Sequence, residues 1–457
     1  MRLTGAVYHA AQPWRRFDFT GSAATLAAMN RLLCLALVAS WLGSAAEVLA
    51  GDWPQWRGPR RDGVCDETGL LQSWPEGGPK LIWKCGELGR GYCAPIIVGE
   101  RIYLTGDVGE ELHVFALDLD GKLAWKAKNG RAWNGSHPGA RASCTFSDGR
   151  LYHLNAHGRV ACLDAASGME VWSVNILDRF DGKVIEWALS ECLLVDGPRV
   201  IVTAGGSKAV LAALDKQTGE TVWATGPLRL GEGNPPAQER VREPTGEPDN
   251  ASYASPILFP LGPRRLIVGC SLRHVFGVDA DTGELLWTRP FSTRYRVIAT
   301  TPVRVGDALF VTAPDGEGGK LYRMREEGKA VGVETAWRTE LDSCQGGVVF
   351  AEGALFGAMY HQPKTWARLD AATGKVASEF KGLAKGPLLY ADHRLYCVSE
   401  EGEVALLKAG SGGLESTGRF QLVPERKSDV WTHPVIANGR LYLRYHDTLF
   451  CFDGRAR

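Results

Sequence analysis

One phrase, written again and again, limits what this chain can fold into more than any other property. It reads Ala116-Leu117-Asp118-Leu119-Asp120-Gly121, then Lys122-Leu123-Ala124-Trp125. It returns as Cys162-Leu163-Asp164 with Gly168 and Trp172, as Ala213-Leu214-Asp215 with Gly219 and Trp223, and as Gly277-Val278-Asp279 with Gly283 and Trp287. A fifth copy, Arg368-Leu369-Asp370 with Gly374, lacks the tryptophan, and weaker forms lie near 323–337 and at Cys451-Phe452-Asp453-Gly454. An apolar residue ends one strand, and Asp opens a turn by bonding backbone N–H groups. Gly supplies a positive φ before the return strand. The return strand then runs to Trp, a large core anchor. Each copy is a β-hairpin.

A second strand–turn–strand phrase precedes the first. It occurs near 94–103, 145–152, 193–201, 256–268, 302–310, 348–356, 387–396 and 434–442. Four short strands in a period of about 40–50 residues is propeller spacing. The composition agrees: 55 Gly with 15 Trp suits many short strands and tight turns, since Gly costs a helix interior about 1 kcal/mol. The sequence therefore predicts an all-β protein, an eight-bladed β-propeller of four-stranded antiparallel blades over residues 80–457. The sixth unit is degenerate, so a seven-bladed ring is the nearest alternative. The last hairpin has no Trp strand after it, and Lys80-Leu81-Ile82-Trp83-Lys84 is expected to complete that blade and close the ring. A longer unit carries an insertion near 231–250.

These phrases resemble the PQQ-like (quinoprotein-type) propeller repeats, whose blades close on an Ala-x-Asp-x-x-(Thr/Ser)-Gly-x-x-x-Trp core. The segment Asp52-Trp53-Pro54-Gln55-Trp56-Arg57-Gly58-Pro59, with Gly63 and Trp74-Pro75, resembles the leader of an exported, planctomycete-type subgroup. The wider kin of these repeats include an outer-membrane assembly scaffold and the quinoprotein alcohol dehydrogenases. The resemblance implies the fold, and the fold hosts both enzymes and scaffolds. The dehydrogenases carry adjacent cysteines beside their cofactor, and this chain has no Cys-Cys. No cofactor is therefore expected, with PQQ and calcium as the alternative.

Residues 1–46 read as a secretory signal. Arg31 leads into the apolar run 32–39, and Ser44-Ala45-Ala46 is a small-x-small cleavage site. An uncleaved apolar helix is the other option. Met29 is a natural start for the signal, which marks 1–28 as a spurious extension; cleavage is expected at Ala46–Glu47 or at Ala50–Gly51. Residues 47–79 are then a leader expected to pack on the propeller. Export to the periplasm or the cell exterior permits disulfides. The later cysteines are scattered without CxxC or CxxCH, and Cys162 and Cys451 fall on equivalent strand positions. They read as small buried residues, although a Cys85–Cys93 pair stays open.

Basic and acidic residues balance at 52 each, so neither nucleic acid nor an anionic surface is called for by charge. No P-loop, GxSxG, HExxH, EF-hand or Rossmann fingerprint is present. The recurring Asp118, Asp164, Asp215, Asp279 and Asp370 belong to the turn, not to catalysis.

The residues just before each innermost strand should ring one mouth of the channel. They include Tyr92, Arg141, Glu186, Trp187, Tyr253, Arg296, Gln345, Lys385, Trp431 and His433. Aromatic faces among Arg, Lys, Glu and Gln suit a polar planar or sugar-like ligand. Aromatic rings packed between blades would give the same composition. Arg131, Trp133, His137 and Arg141 share one connection of functional composition, which turn residues also explain. His361 sits at a hairpin tip, where exposure is the ordinary state, and His433 stands beside Pro434. The expected function is a binding or scaffold module with a protein or glycan partner, at most peripheral to a membrane. A PQQ- and calcium-dependent oxidoreductase is the alternative. Sugar hydrolysis would need two carboxylates at the mouth, and only Glu186 is placed there.

Overall fold

The computed structural model describes residues 51–229, 246–410 and 412–456. The signal-peptide positions and most of the insertion expected near 231–250 lie outside the described residues. The described residues form eight four-stranded antiparallel blades in a ring, an eight-bladed β-propeller. The sequence-level fold is the observed one.

Each hairpin phrase forms the outer half of a blade. In the second blade the strands are Thr145–Ser147, Arg150–Leu154, Arg159–Asp164 and Glu170–Asn175. The middle two are buried, and the outermost is the most exposed. Asp164 caps the turn by accepting bonds from Ser167 N and Oγ at 3.0 and 2.8 Å. Asp215, Asp279 and Asp370 cap theirs in the same way. The recurring aspartates are thus turn caps by geometry.

The phrase also glues neighbouring blades. Trp172, at the end of the second blade's phrase, donates its indole N–H to the Lys216 carbonyl in the third blade's turn at 3.0 Å. Trp125 reaches Ala165, Trp337 reaches Ala371 and Trp83 reaches Leu119 in the same manner. The sixth blade has no Trp at this position, and the seventh lacks the Asp turn that would receive it; Ser378 lies against Gly413 there. Apolar faces pack between blades, as where Tyr152, Val160 and Cys162 meet Val200, Val202 and Leu214.

Ring closure follows the sequence. Leu81–Cys85 pairs antiparallel with Thr448–Asp453 and completes the eighth blade, whose inner strands are Val435–Ala437 and Arg440–Tyr445. All ten cysteines among the described residues are free thiols; Cys162, Cys397 and Cys451 are buried strand residues.

The leader enters the ring itself. Trp53 pairs with Ile97 of the first blade's innermost strand, at 2.7 and 3.0 Å. The Pro54 carbonyl accepts from Phe146 N in the second blade at 2.8 Å. The chain then turns back at Gly58, φ 83°, where a Cβ would stand 2.8 Å from the Trp53 ring. On the return, Val64–Cys65 lies parallel to Leu388–Ala391 as a fifth strand of the seventh blade. Glu67 accepts from Asn438 N and Gly439 N, each at 2.6 Å, in the eighth blade. Arg57 donates to the carbonyls of Asp62 and of Val348 in the sixth blade. Arg61 donates to Cys192 and Leu193, beside the third blade. Both guanidinium groups are almost wholly buried, and burial pushes each down to about 10. The leader is a plug in the channel, bonded to six of the eight blades.

Candidate functional site

The connection from each outermost strand to the next innermost strand crosses the same end of the ring. Side chains there converge on a cup of about 500 Å3. Tyr92, Arg141, Trp187, Tyr253, Gln345, Lys385, Trp431 and His433 all line it. They precede the innermost strands of the first, second, third, fourth, sixth, seventh and eighth blades. Of the ten residues expected from sequence, Glu186 and Arg296 do not line the cup. Both are exposed, and Trp187 beside the first and Tyr295 and Val297 beside the second take their places. The reason is conformational: Arg296 has φ 56° in a turn closed by Thr293.

Sequence reasoning missed the floor. Trp56 of the leader closes the cup from below and meets His433 edge to face at 5.2 Å. It also missed Asp315, Tyr360 and Glu400, which stand at the turns between second and third strands. Those turns face the same end as the connections it did consider.

The walls are aromatic and inclined. Tyr92 and Trp431 lie 5.2 Å apart at 34°, His137 sits 4.7 Å from Trp431, and Trp187 and Tyr253 are 5.8 Å apart at 55°. In a ring of eight, the eighth and fourth blades are opposite, so Trp431 and Tyr253 enter from opposite sides. Arg141 and Gln345, from the second and sixth connections, do the same.

The charges are unevenly paired. Lys385 bonds Glu400 at 2.8 Å and stands 4.8 Å over the Tyr360 ring. Asp429 is held by Arg426 at 2.8 Å. Arg141 gives its Nη2 to the carbonyls of Ser136 and His137, lies 6.0 Å over Tyr92, and keeps a buried Nε with no partner. Burial lowers Arg141 to about 10. Burial, with Arg57 nearby, lowers His433 to about 3, so its imidazole is neutral; its Nε2 meets the Gln345 carbonyl at 3.0 Å. His361 is exposed, as expected of its hairpin tip, and also pairs with the buried Asp342 at 2.7 Å.

A calcium-bound quinone would need oxygen ligands converging in the cup. Ca2+ takes six to eight converging oxygen ligands. Two of the cup's three carboxylates, Glu400 and Asp429, are already spent on cations, and the third is Asp315. Among the described residues no group of three or more His, Cys, Asp or Glu is placed to hold a metal. These residues do not fit a bound calcium ion.

Residues 110–380 match the family described as outer membrane protein assembly factor BamB. The chain belongs to this family. The BamB of Burkholderia pseudomallei (strain K96243) is 26% identical over 307 residues, covering 58% of this chain and 74% of that protein. The crystal structure of BamB from Moraxella catarrhalis superposes with a TM-score of 0.56 at 16% identity, over 82% of this chain and 99% of that one. The quinohemoprotein alcohol dehydrogenase of Comamonas testosteroni has a TM-score of 0.62 at 13% identity, over 92% and 84%. At such identities these two structures share a fold with this chain, and the cup's side chains stand on their own geometry. Among the described residues no helix is long and apolar enough to cross a membrane.

Proposed function

We propose that this protein is an exported binding module, a BamB-type propeller without a catalytic centre that holds a polar, sugar-like group of a glycan or partner in its cup. One observation carries the proposal: the cup is walled by inclined aromatic rings from opposite blades and floored by Trp56 of its own leader. A cup of this size lies within the roughly 300–1,000 Å3 that encloses a small ligand. Aromatic rings cover the apolar faces of a sugar, while Ser190, Ser255 and Gln345 stand by for its hydroxyls. Glu186, the carboxylate expected for sugar hydrolysis, is exposed outside the cup, and of the three carboxylates that do line it Glu400 and Asp429 are paired with Lys385 and Arg426, so binding is favoured over cleavage.

The test is calorimetric titration of the purified protein with PQQ, with and without Ca2+, beside a panel of oligosaccharides. Saccharide binding that is lost in Trp431→Ala and Tyr253→Ala supports the module. Stoichiometric, Ca2+-dependent PQQ uptake overturns it in favour of a quinoprotein oxidoreductase.

A further inference from the structure

The cup is blind. In the channel beneath it, Trp53 and Pro54 are bonded to the first and second blades, Val64–Cys65 to the seventh and Glu67 to the eighth. Arg57 and Arg61 tie the same segment to the sixth and third. A polymer cannot thread through a channel closed in this way. A chain that enters the cup must end or turn back there.

Two leader arginines are buried beside the Trp56 floor, and a third arginine lines one wall. Arg57 and Arg61 have no carboxylate within ion-pairing distance; their bonds go to backbone carbonyls and the Gln55 amide. Arg57 Nε and Nη1 and Arg61 Nε are buried without partners. Arg141 lines the cup itself, likewise without a carboxylate partner and with its Nε unbonded. Against these stand Asp315 and two acids nearby, the half-buried Asp107 and the buried Glu191. Burial pushes Asp107 up to about 6, so near neutral pH it stays mostly charged and in part offsets Arg141, whereas Glu191, pushed up to about 7, is only partly charged there. Glu400 and Asp429 are neutralised by Lys385 and Arg426. Charges in a partly enclosed, low-dielectric cup act more strongly than on an open surface.

We infer that the cup takes the terminal, acidic residue of a glycan, a sugar carrying a carboxylate or sulfate that Arg141 receives. This rests on the binding-module reading above and specifies its ligand. Tilted rings and scattered hydroxyl partners suit a puckered sugar.

The experiment is a glycan array of uronate-, sialate- and sulfate-terminated chains, each beside its neutral counterpart, read with the full-length exported protein and with Arg141→Gln. The strongest hit is then titrated by calorimetry. The expected result is at least a tenfold preference for the acidic terminus. Arg141→Gln should reduce that preference to about one while thermal unfolding stays within a few degrees of the parent. Chains bearing the acid only at internal positions should not bind. Equal binding of acidic and neutral termini overturns the inference and leaves glycan binding intact. Tight binding of internal residues also overturns it. Silence of the whole array sinks both the inference and the sugar-binding part of the proposed function, and a protein partner would then be the remaining form of the module.

Discussion

The Trp172 indole lies directly over Gly219, so that a Cβ on the glycine would stand 2.6 Å from the ring. Gly219 belongs to the third blade's turn and Trp172 to the second blade's outer strand. One residue of the repeated phrase is thus the seat for another residue of the previous copy. Gly168 seats Trp125 and Gly121 seats Trp83 in the same way, at 2.5 and 2.8 Å.

Gly219→Ala should therefore combine a strained φ of 74° with a clash against a ring. A loss of roughly 2–4 kcal/mol is expected, from about 1 kcal/mol of backbone strain and 1–3 of overpacking. Gly149 has the same φ of 74° but open space around it, so Gly149→Ala should lose only the strain, about 1 kcal/mol. Urea unfolding of both variants checks the difference. Equal losses would mean that the seat contributes nothing.

Arg57→Met should release the plug. The Val348 and Asp62 carbonyls lose their donor, and unpaired buried acceptors cost about 1–3 kcal/mol each. Limited proteolysis should then cut within 51–79 much faster than in the parent while the blades resist. A leader that stays protected would show that Arg57 does not hold it.

Glu191 gives a pH signature. It is buried, and its folded carboxyl titrates near 7 because burial disfavours the charge, although Thr203 N bonds it at 2.9 Å. The unfolded chain releases that proton near about 4.3. Its contribution to stability is therefore full below the unfolded value and gone once pH rises past about 7. His433 acts in the opposite sense: with its folded value near 3, it contributes above about 6.5, and that contribution is lost as pH falls. Comparing the parent with Glu191→Gln isolates the first effect. The variant should gain on the parent between pH 5 and 7 by up to about 1.4 kcal/mol per unit. Parallel stability curves would contradict the buried acid.

Lys385 and Glu400 neutralise one another at the rim of the cup. Glu400→Gln should leave the ammonium free and strengthen binding of an acidic sugar several-fold. Lys385→Met should weaken it, and both effects should shrink at high salt because the pair is near solvent. Calorimetry at two ionic strengths reads this directly.

Much of this molecule is written locally. Asp164, Gly168 and Trp172 specify a capped turn, a positive φ and an anchor within nine residues. Such a hairpin recurs in most copies, so blade number and the closing strand at Leu81–Cys85 follow from counting. Most of the mouth residues follow too, because they precede innermost strands, although Glu186 and Arg296 do so without lining the cup. Contacts between distant segments decided the rest. Trp56 floors the cup only because its leader turns back inside the channel, and nothing local to Trp56-Arg57-Gly58 states where those residues dock. Arg296 turns away from the cup because a positive φ redirects it, while Asp315 and Glu400 come in from turns with no shared spelling. The sequence by itself determined the repeating hairpin, whose hydrogen bonds and turn chemistry are short-range. Only the tertiary structure decided that the channel is plugged and which charges are left unpaired beside the cup, because burial and pairing are properties of the assembled ring.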